Sequence, residues 1–410
     1  MEKNWQGLDF LRGIGIFFLI VMHTAFYYFN GLWDLDLENP PLIITIIGFL
    51  LMFAGLFAII SGAVHGIGML RLRNLKGWPL KKIAAKKASS AAFILILAYI
   101  YFIFTGPGLS DFENRRMNNS ILVEWIRSGR LTGFNLERVL YVDSLVMIGS
   151  NILLVALIWI GLMKINKLSP AFLLSLSGFI MLLSLLRLPL YPVYLEQIER
   201  ANWVPAILLN WFVNKNNPIM PFLAFGLLGS WLGLLLEEKR SRRLPLLLGL
   251  ILFTTGMVLY VFLPDTMLQR AIDLKWYSIM VAQLGLFILL VLGSVALFDR
   301  PGRKSSGGRL FRFICRFGSV GLTAFFWESV VAAITWRLLS LVFPRIELGI
   351  PGALLFGLGL AIGWGVVLMR WEKHRYVGTV ESLYVRFVTR FGQVSSKADK
   401  LANPQEGLHP

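Results

Sequence analysis

Ionisable side chains set inside long apolar blocks are the feature of this sequence that first points to chemistry. Asp9, Arg12 and His23 fall in or beside the first block and His65 in the second. Asp143 falls in the fourth, and Glu328 and Arg337 in the ninth. An ionisable group at the centre of a membrane span costs ~2.5 kcal/mol or more, so each of these is paired or functional. Arg12 and His23 are eleven residues apart. On a helix that is three turns, which points both side chains the same way, ~16 Å apart along the axis. The arrangement suits a long donor with an anionic head at one face and a reactive end inside the membrane, as in an acyl-CoA. Arginine offers a planar, always-charged fork for phosphates. A neutral imidazole can take the proton from a hydroxyl or amine that attacks a thioester.

The elements that must position these residues are set by composition. Of 410 residues, 56% are hydrophobic and only 15% charged, which excludes an ordinary soluble domain. The apolar residues come in runs of about twenty, long enough to cross a ~30 Å hydrocarbon core as a helix. These runs are apolar all round, which excludes a barrel with its two-residue alternation. The expected fold is all-α, a polytopic bundle of ten spans at about 10–29, 41–70, 88–105, 139–163, 169–190, 218–236, 244–263, 276–298, 314–342 and 352–370. The second and ninth exceed the bilayer, so they are expected to tilt, bend or project. Residues 1–390 read as one domain and 391–410 as a polar, disordered tail.

The net charge of +17 reads as loop charge and not as a nucleic-acid surface. With the N-terminus inside, 28 Lys+Arg lie on the cytoplasmic side and 10 outside, which predicts N-in and C-in, in the plasma membrane. Arg115–Arg138 runs against this with five arginines outside. It is long enough for a small substructure with an interfacial helix near Ile121–Arg127. The single cysteine, Cys315, excludes an internal disulfide and a cysteine-based metal cluster, and no metal is expected. The early apolar run has no cleavage site after it and is expected to stay as a helix. Gly302–Gly308 reads as a flexible basic linker, since it lacks the residue order of a phosphate-binding loop. No internal repeat suggests an inverted-repeat transporter.

Leu8-Asp9-Phe10-Leu11-Arg12-Gly13, followed by His23, resembles the first helix of the acyltransferase family 3 membrane proteins. That family carries an Arg-x10-His pattern within a Leu-Asp-x-x-Arg-Gly stretch. Phe57-Ala58-Ile59-Ile60-Ser61-Gly62 is similar to its second helix. Later segments are similar to a sister branch, the heparan-α-glucosaminide N-acetyltransferase relatives. Phe317 to Phe325 resembles a Gly-x-x-x-Leu-Thr-x-Tyr helix start there. Gly378-Thr379-Val380-Glu381 with Arg386 resembles a terminal Gly-Pro-Leu-Glu…Arg motif. The chain departs from that branch at His23, which is usually Asn there, at Thr379 in place of Pro, and in an Arg displaced by one. Residues 90–310 match only in their succession of spans.

The resemblance implies an integral-membrane acyltransferase. It would move an acyl group, usually acetyl, from cytosolic acyl-CoA to an extracytoplasmic glycan or glycolipid. Arg12 would touch the CoA phosphates, Asp9 would orient Arg12, and His23 would be base or acyl relay. Arg71 and Arg73 are neighbouring basic candidates for the nucleotide, and His65 is either a CoA contact or a solvated helix-end histidine. Glu328 would assist His23 or bind the acceptor, or else pair structurally with another helix. Asp143 would bond acceptor hydroxyls or simply open its helix. Trp203 and Trp211 could stack on a sugar, and Arg337 would snorkel. Lipid, acyl-CoA and glycan are the expected partners, with a homo-oligomer open. The rival functions are a transporter or flippase for a glycan or lipid precursor, and a non-catalytic relative that kept the fold.

Overall fold

A computed structural model describes residues 5–36, 41–44, 53–112, 114–131, 133, 136–264, 272–299 and 308–391. Of the expected linker at 302–308 and tail at 391–410, all but Gly308 and Phe391 lie outside these, and Phe391 ends the last helix. The protein is a polytopic helical bundle. Among the described residues, ten helices are long and apolar enough to cross a membrane.

Helix α1 (Gln6–Tyr28) is the first span, and α2 (Ala54–Asn74) runs back toward its start. Then α3 (Leu80–Ile100) ends in a π-helical turn, Tyr101–Thr105. A hairpin of β1 (Leu109–Asp111) and β2 (Arg116–Asn118) and two short helices follow, α4 (Ile121–Ser128) and α5 (Leu136–Leu140). The strands pair antiparallel, with Ser110 opposite Met117. The remaining elements are α6 (Ser144–Lys164), α7 (Pro170–Leu183), α8 (Arg187–Glu199) and α9 (Trp203–Val213). They continue with α10 (Ile219–Glu237), α11 (Arg243–Phe262) and α12 (Leu274–Phe298). The chain closes with α13 (Arg309–Ser319), α14 (Gly321–Val342), α15 (Ile350–Glu372) and α16 (Val380–Phe391).

Three expected boundaries move. The basic stretch 71–87 is mostly helix, because Arg71 and Arg73 form the last turn of α2 and Lys81 to Lys87 the first turns of α3. Pro79 sets the restart, standing just before the first helical residue with extended backbone. The ninth block is two helices: Val320 leaves helical geometry at φ −128°, ψ 40° and separates amphipathic α13 from the span α14. The stretch between the expected spans 169–190 and 218–236 folds mainly into α8 and α9. The interfacial helix expected near residue 121 is present as α4.

Close approach at glycine holds the centre together. Lipid tails are as apolar as side chains, so packing must come from backbones that come near each other. A Cβ on Gly62 would collide with the carbonyl of Gly226, and one on Gly229 with the carbonyl of Ile59, which locks α2 to α10. Between α1 and α13 the contact is reciprocal: Gly13 meets Ile314 and Gly318 meets Asp9. Two motif glycines, Gly13 and Gly62, therefore serve packing. We expect Gly62→Val to lower folded yield and melting temperature in detergent, since overpacking costs ~1–3 kcal/mol. Gly161→Val, whose Cβ would meet nothing within 4 Å, is the control and should match wild type.

Four of the five arginines of 115–138 have partners, Arg115 with Asp34 at 3.5 Å. Arg138 is buried and donates to the carbonyls of Phe102, Pro107 and Asn118, which fastens the hairpin over the bundle. Arg116 pairs with Asp111 at 2.8 Å, and Arg127 lies 5.3 Å over the Tyr28 ring. Arg337, expected to snorkel, donates instead to the carbonyls of Ile126 and Arg127 at the end of α4.

Cys315 sits on α13, outside the spans, and burial pushes its thiol up to about 11. Asp9 adds to the rise, while Arg12 and Arg316 oppose it. The thiolate is the reactive form, and each pKa unit is tenfold in its population, so maleimide labelling at pH 7.5 is expected to be ~10²-fold slower than for a free cysteine.

Candidate active site

His23 lies nearly five turns along α1 and faces α14. Its Nδ1 is 2.8 Å from Oε1 of Glu328. The Tyr101 hydroxyl, from the π turn after α3, donates to the same oxygen at 3.3 Å. Three helices thus meet at one carboxylate that is only 3% exposed. Of the two readings for Glu328, the structure brings it to His23 and not to an arginine or lysine. The neutral ring with its proton on Nδ1 donates to Glu328, which leaves Nε2 as an acceptor. A carboxylate behind an imidazole fixes tautomer and orientation and stabilises the imidazolium that forms during proton transfer. The second oxygen, Oε2, makes no hydrogen bond among the described residues.

His23 stands between two spaces. On one side is a cavity of about 290 Å³ that follows α1 from Leu11 past Gly15 and Phe18 to Tyr27. Leu11 to Tyr27 is ~24 Å of helix. Its wall is apolar over most of that length and polar near His23, where Tyr101, Asp143, Ser144 and Asn217 contribute. On the other side is a niche of about 20 Å³ lined by His23, Glu328, Asn119, Arg127 and Ser329. That volume holds one water-sized group.

Asp143 is buried and caps α6, with Oδ1 accepting from the Val146 amide at 2.9 Å. Its Oδ2 has no partner among the described residues. Helix-capping and the cavity wall are therefore both roles of this one carboxylate, since it borders the same cavity as His23.

The start of α1 borders a separate pocket of about 320 Å³. Asp9, Arg12, Arg71, Lys76, Lys86 and Lys87 supply its polar wall. Arg12 pairs with Asp9 at 2.6 Å and stays about a third exposed. Arg71 is held by both oxygens of Glu237 at 2.8 Å, so a carboxylate already occupies much of its fork. Lys87 is the residue that sequence reading missed. It is only 7% exposed, lines the pocket, and lies 2.7 Å from Nδ1 of His65. The signal for it was present in the basic run, but that run looked like a loop. His65 stands behind Lys87, half-buried and off the pocket wall.

Besides His65, two candidates are not brought to any of these spaces. Arg73 is bonded to the Trp78 carbonyl at 3.3 Å and turns from the pocket. Trp203 opens α9, is 42% exposed, and borders neither cavity. The helical fold of 187–213 carries it away along the flank of the bundle, while the hairpin and α4 cover the His23 end.

Among the described residues, no group of three or more His, Cys, Asp or Glu side chains could hold a metal ion. No family model matches the chain, and no curated protein is significantly similar to it.

Proposed function

We propose that the protein is an integral-membrane acyltransferase that moves an acyl group, acetyl in the simplest case, from cytosolic acyl-CoA to an extracytoplasmic glycan or glycolipid. The observation that carries this reading is the His23–Glu328 pair between an elongated cavity and a polar niche. A basic pocket lies about three turns away on the same helix. The anionic head of the donor docks at Arg12, Lys86 and Lys87, and the thioester reaches His23.

Nε2 of His23 takes the proton from an acceptor hydroxyl or amine. The acceptor atom attacks the thioester carbonyl, the carbon–sulfur bond breaks, and the departing thiolate takes the proton from the imidazolium. Glu328 holds the ring through Nδ1 and balances its transient charge. In a relay, Nε2 instead attacks the thioester carbonyl and the thiolate leaves; the acceptor then attacks the acyl-imidazole, the bond to Nε2 breaks, and the acceptor's proton passes to the thiolate. The basic pocket faces the cytosol in this reading, which puts both termini inside and the hairpin outside, in the plasma membrane. A homo-oligomer is compatible with it.

The test is purified protein with labelled acetyl-CoA and a panel of sugars. Label transfer that disappears in His23→Ala supports the enzyme. Movement of a glycan across vesicles without acyl-CoA would replace this reading by a flippase.

A further inference from the structure

The terminal motif Thr379-Val380-Glu381 has no place in the chemistry above, yet its geometry is specific. Helix α14 begins after the break at Val320, which offers no capping side chain. Helix starts leave amide donors without partners, and a side-chain oxygen at the N-cap usually takes those of the second and third residues. Here those residues are Leu322 and Thr323, and the oxygens come from Glu381, nearly sixty residues later. Oε1 of Glu381 accepts from the Leu322 amide at 2.6 Å and the Thr323 amide at 3.2 Å. Oε2 accepts from the Thr323 hydroxyl at 2.5 Å, and that hydroxyl accepts from the Val380 amide at 2.9 Å. A carboxylate also suits the positive end of the helix dipole.

The same terminal helix grips α3. The Tyr384 hydroxyl donates to Ser90 at 3.0 Å. Phe93 packs against Tyr384 and Phe387, with ring centroids 5.5 and 5.4 Å apart. Helix α16 therefore fastens both elements that reach His23: α14, which carries Glu328 five residues past Thr323, and α3, which leads to Tyr101 eleven residues past Ser90. These spans are ~8 and ~16 Å of rigid helix.

We infer that Glu381 is a positioning residue that sets the depth and rotation of α14 at which Glu328 meets the His23 ring. Its catalytic consequence rests on the transferase reading, but its geometric consequence does not. The chain has four histidines, so selective ¹⁵N-histidine labelling resolves His23, with His23→Ala for assignment. In the wild-type protein the ring should hold its proton on Nδ1, fixed by Glu328. Glu381→Ala should turn that single tautomer into a mixture. Glu381→Gln, which keeps an acceptor for the two amides, should restore most of it, and Thr323→Val should give an intermediate result. The last two cover the case in which Glu381→Ala fails to fold. In the transferase assay, kcat should fall by up to ~10²-fold in Glu381→Ala, the cost of a ~1 Å misplacement. The donor KM should stay within threefold. If Glu381→Ala and Thr323→Val lose thermal stability but keep the Nδ1 tautomer and wild-type kcat, Glu381 is only a structural cap and the inference falls. No acyl transfer by the wild-type protein, together with the tautomer change in Glu381→Ala, would defeat the transferase reading alone.

Discussion

His23→Ala is expected to lower acyl transfer by ~10²–10⁴-fold, the range seen when a general base is removed, with expression kept but a lower melting temperature because buried Glu328 loses its partner. Folding should survive because the ring is partly open to two spaces and makes only one strong contact. Glu328→Gln removes both roles of the carboxylate. The amide can turn its NH2 toward Nδ1 and hold the ring in the other tautomer, and the charge that balances the imidazolium is gone. We expect a loss in kcat of up to ~10⁴-fold, with the donor KM unchanged. Because Glu328 is buried, losing a charge there does not cost stability the way an unpaired partner would. Full activity in His23→Ala would remove the proposed chemistry altogether. Full activity in Glu328→Gln would leave His23 in place but reduce Glu328 to a packing contact.

Lys87→Met should act at the other end of α1, where α3 brings Lys87 to the basic pocket. The ammonium lines the basic pocket and is nearly enclosed, with His65 at 2.7 Å behind it. A hydrogen bond from a charged group to phosphate is worth ~1.5–3 kcal/mol, so donor KM should rise ~10–150-fold. kcat should change little, because the reacting atoms are ~16 Å away. Methionine keeps the length and apolar stem, which avoids leaving a void. Arg12→Gln should behave alike and also free Asp9, whose partner it is. Arg73→Gln should leave KM within twofold, since that side chain is bonded to the Trp78 carbonyl. Direct titration with free CoA checks the same point without turnover. Equal KM values for Lys87→Met and wild type would place the donor head elsewhere. Raising the salt concentration should weaken donor binding in wild type more than in Lys87→Met, because one fewer charge is screened.

Much of the fold was legible because the information is local. Blocks of twenty apolar residues identify spans whatever they pack against, and each of the ten expected spans has a counterpart among the described helices. Asp9 lies three residues before Arg12, so their pairing also follows from one helix. The break at Val320 was not legible, since both sides of it are apolar enough to continue. The reach of helix through 71–87 was hidden for the opposite reason. A run of lysines reads as loop, although at a helix end it can snorkel or line a pocket.

By itself, the sequence determined a ten-span helical membrane protein, the basic end of the bundle, and the Arg12–His23 stripe on one helix face. Only the tertiary structure decided that Glu328, 305 residues from His23, is its partner. The same holds for Lys87 at His65, for Glu237 on Arg71, and for Glu381 at the start of α14. The physical reason is that hydropathy and helical period fix what each element is and which way its own residues point. They carry no information on the depth and rotation at which one helix meets another. Those are set by backbone contacts such as Gly13 with Ile314 and Gly62 with Gly226, which bring together side chains that share no sequence neighbourhood.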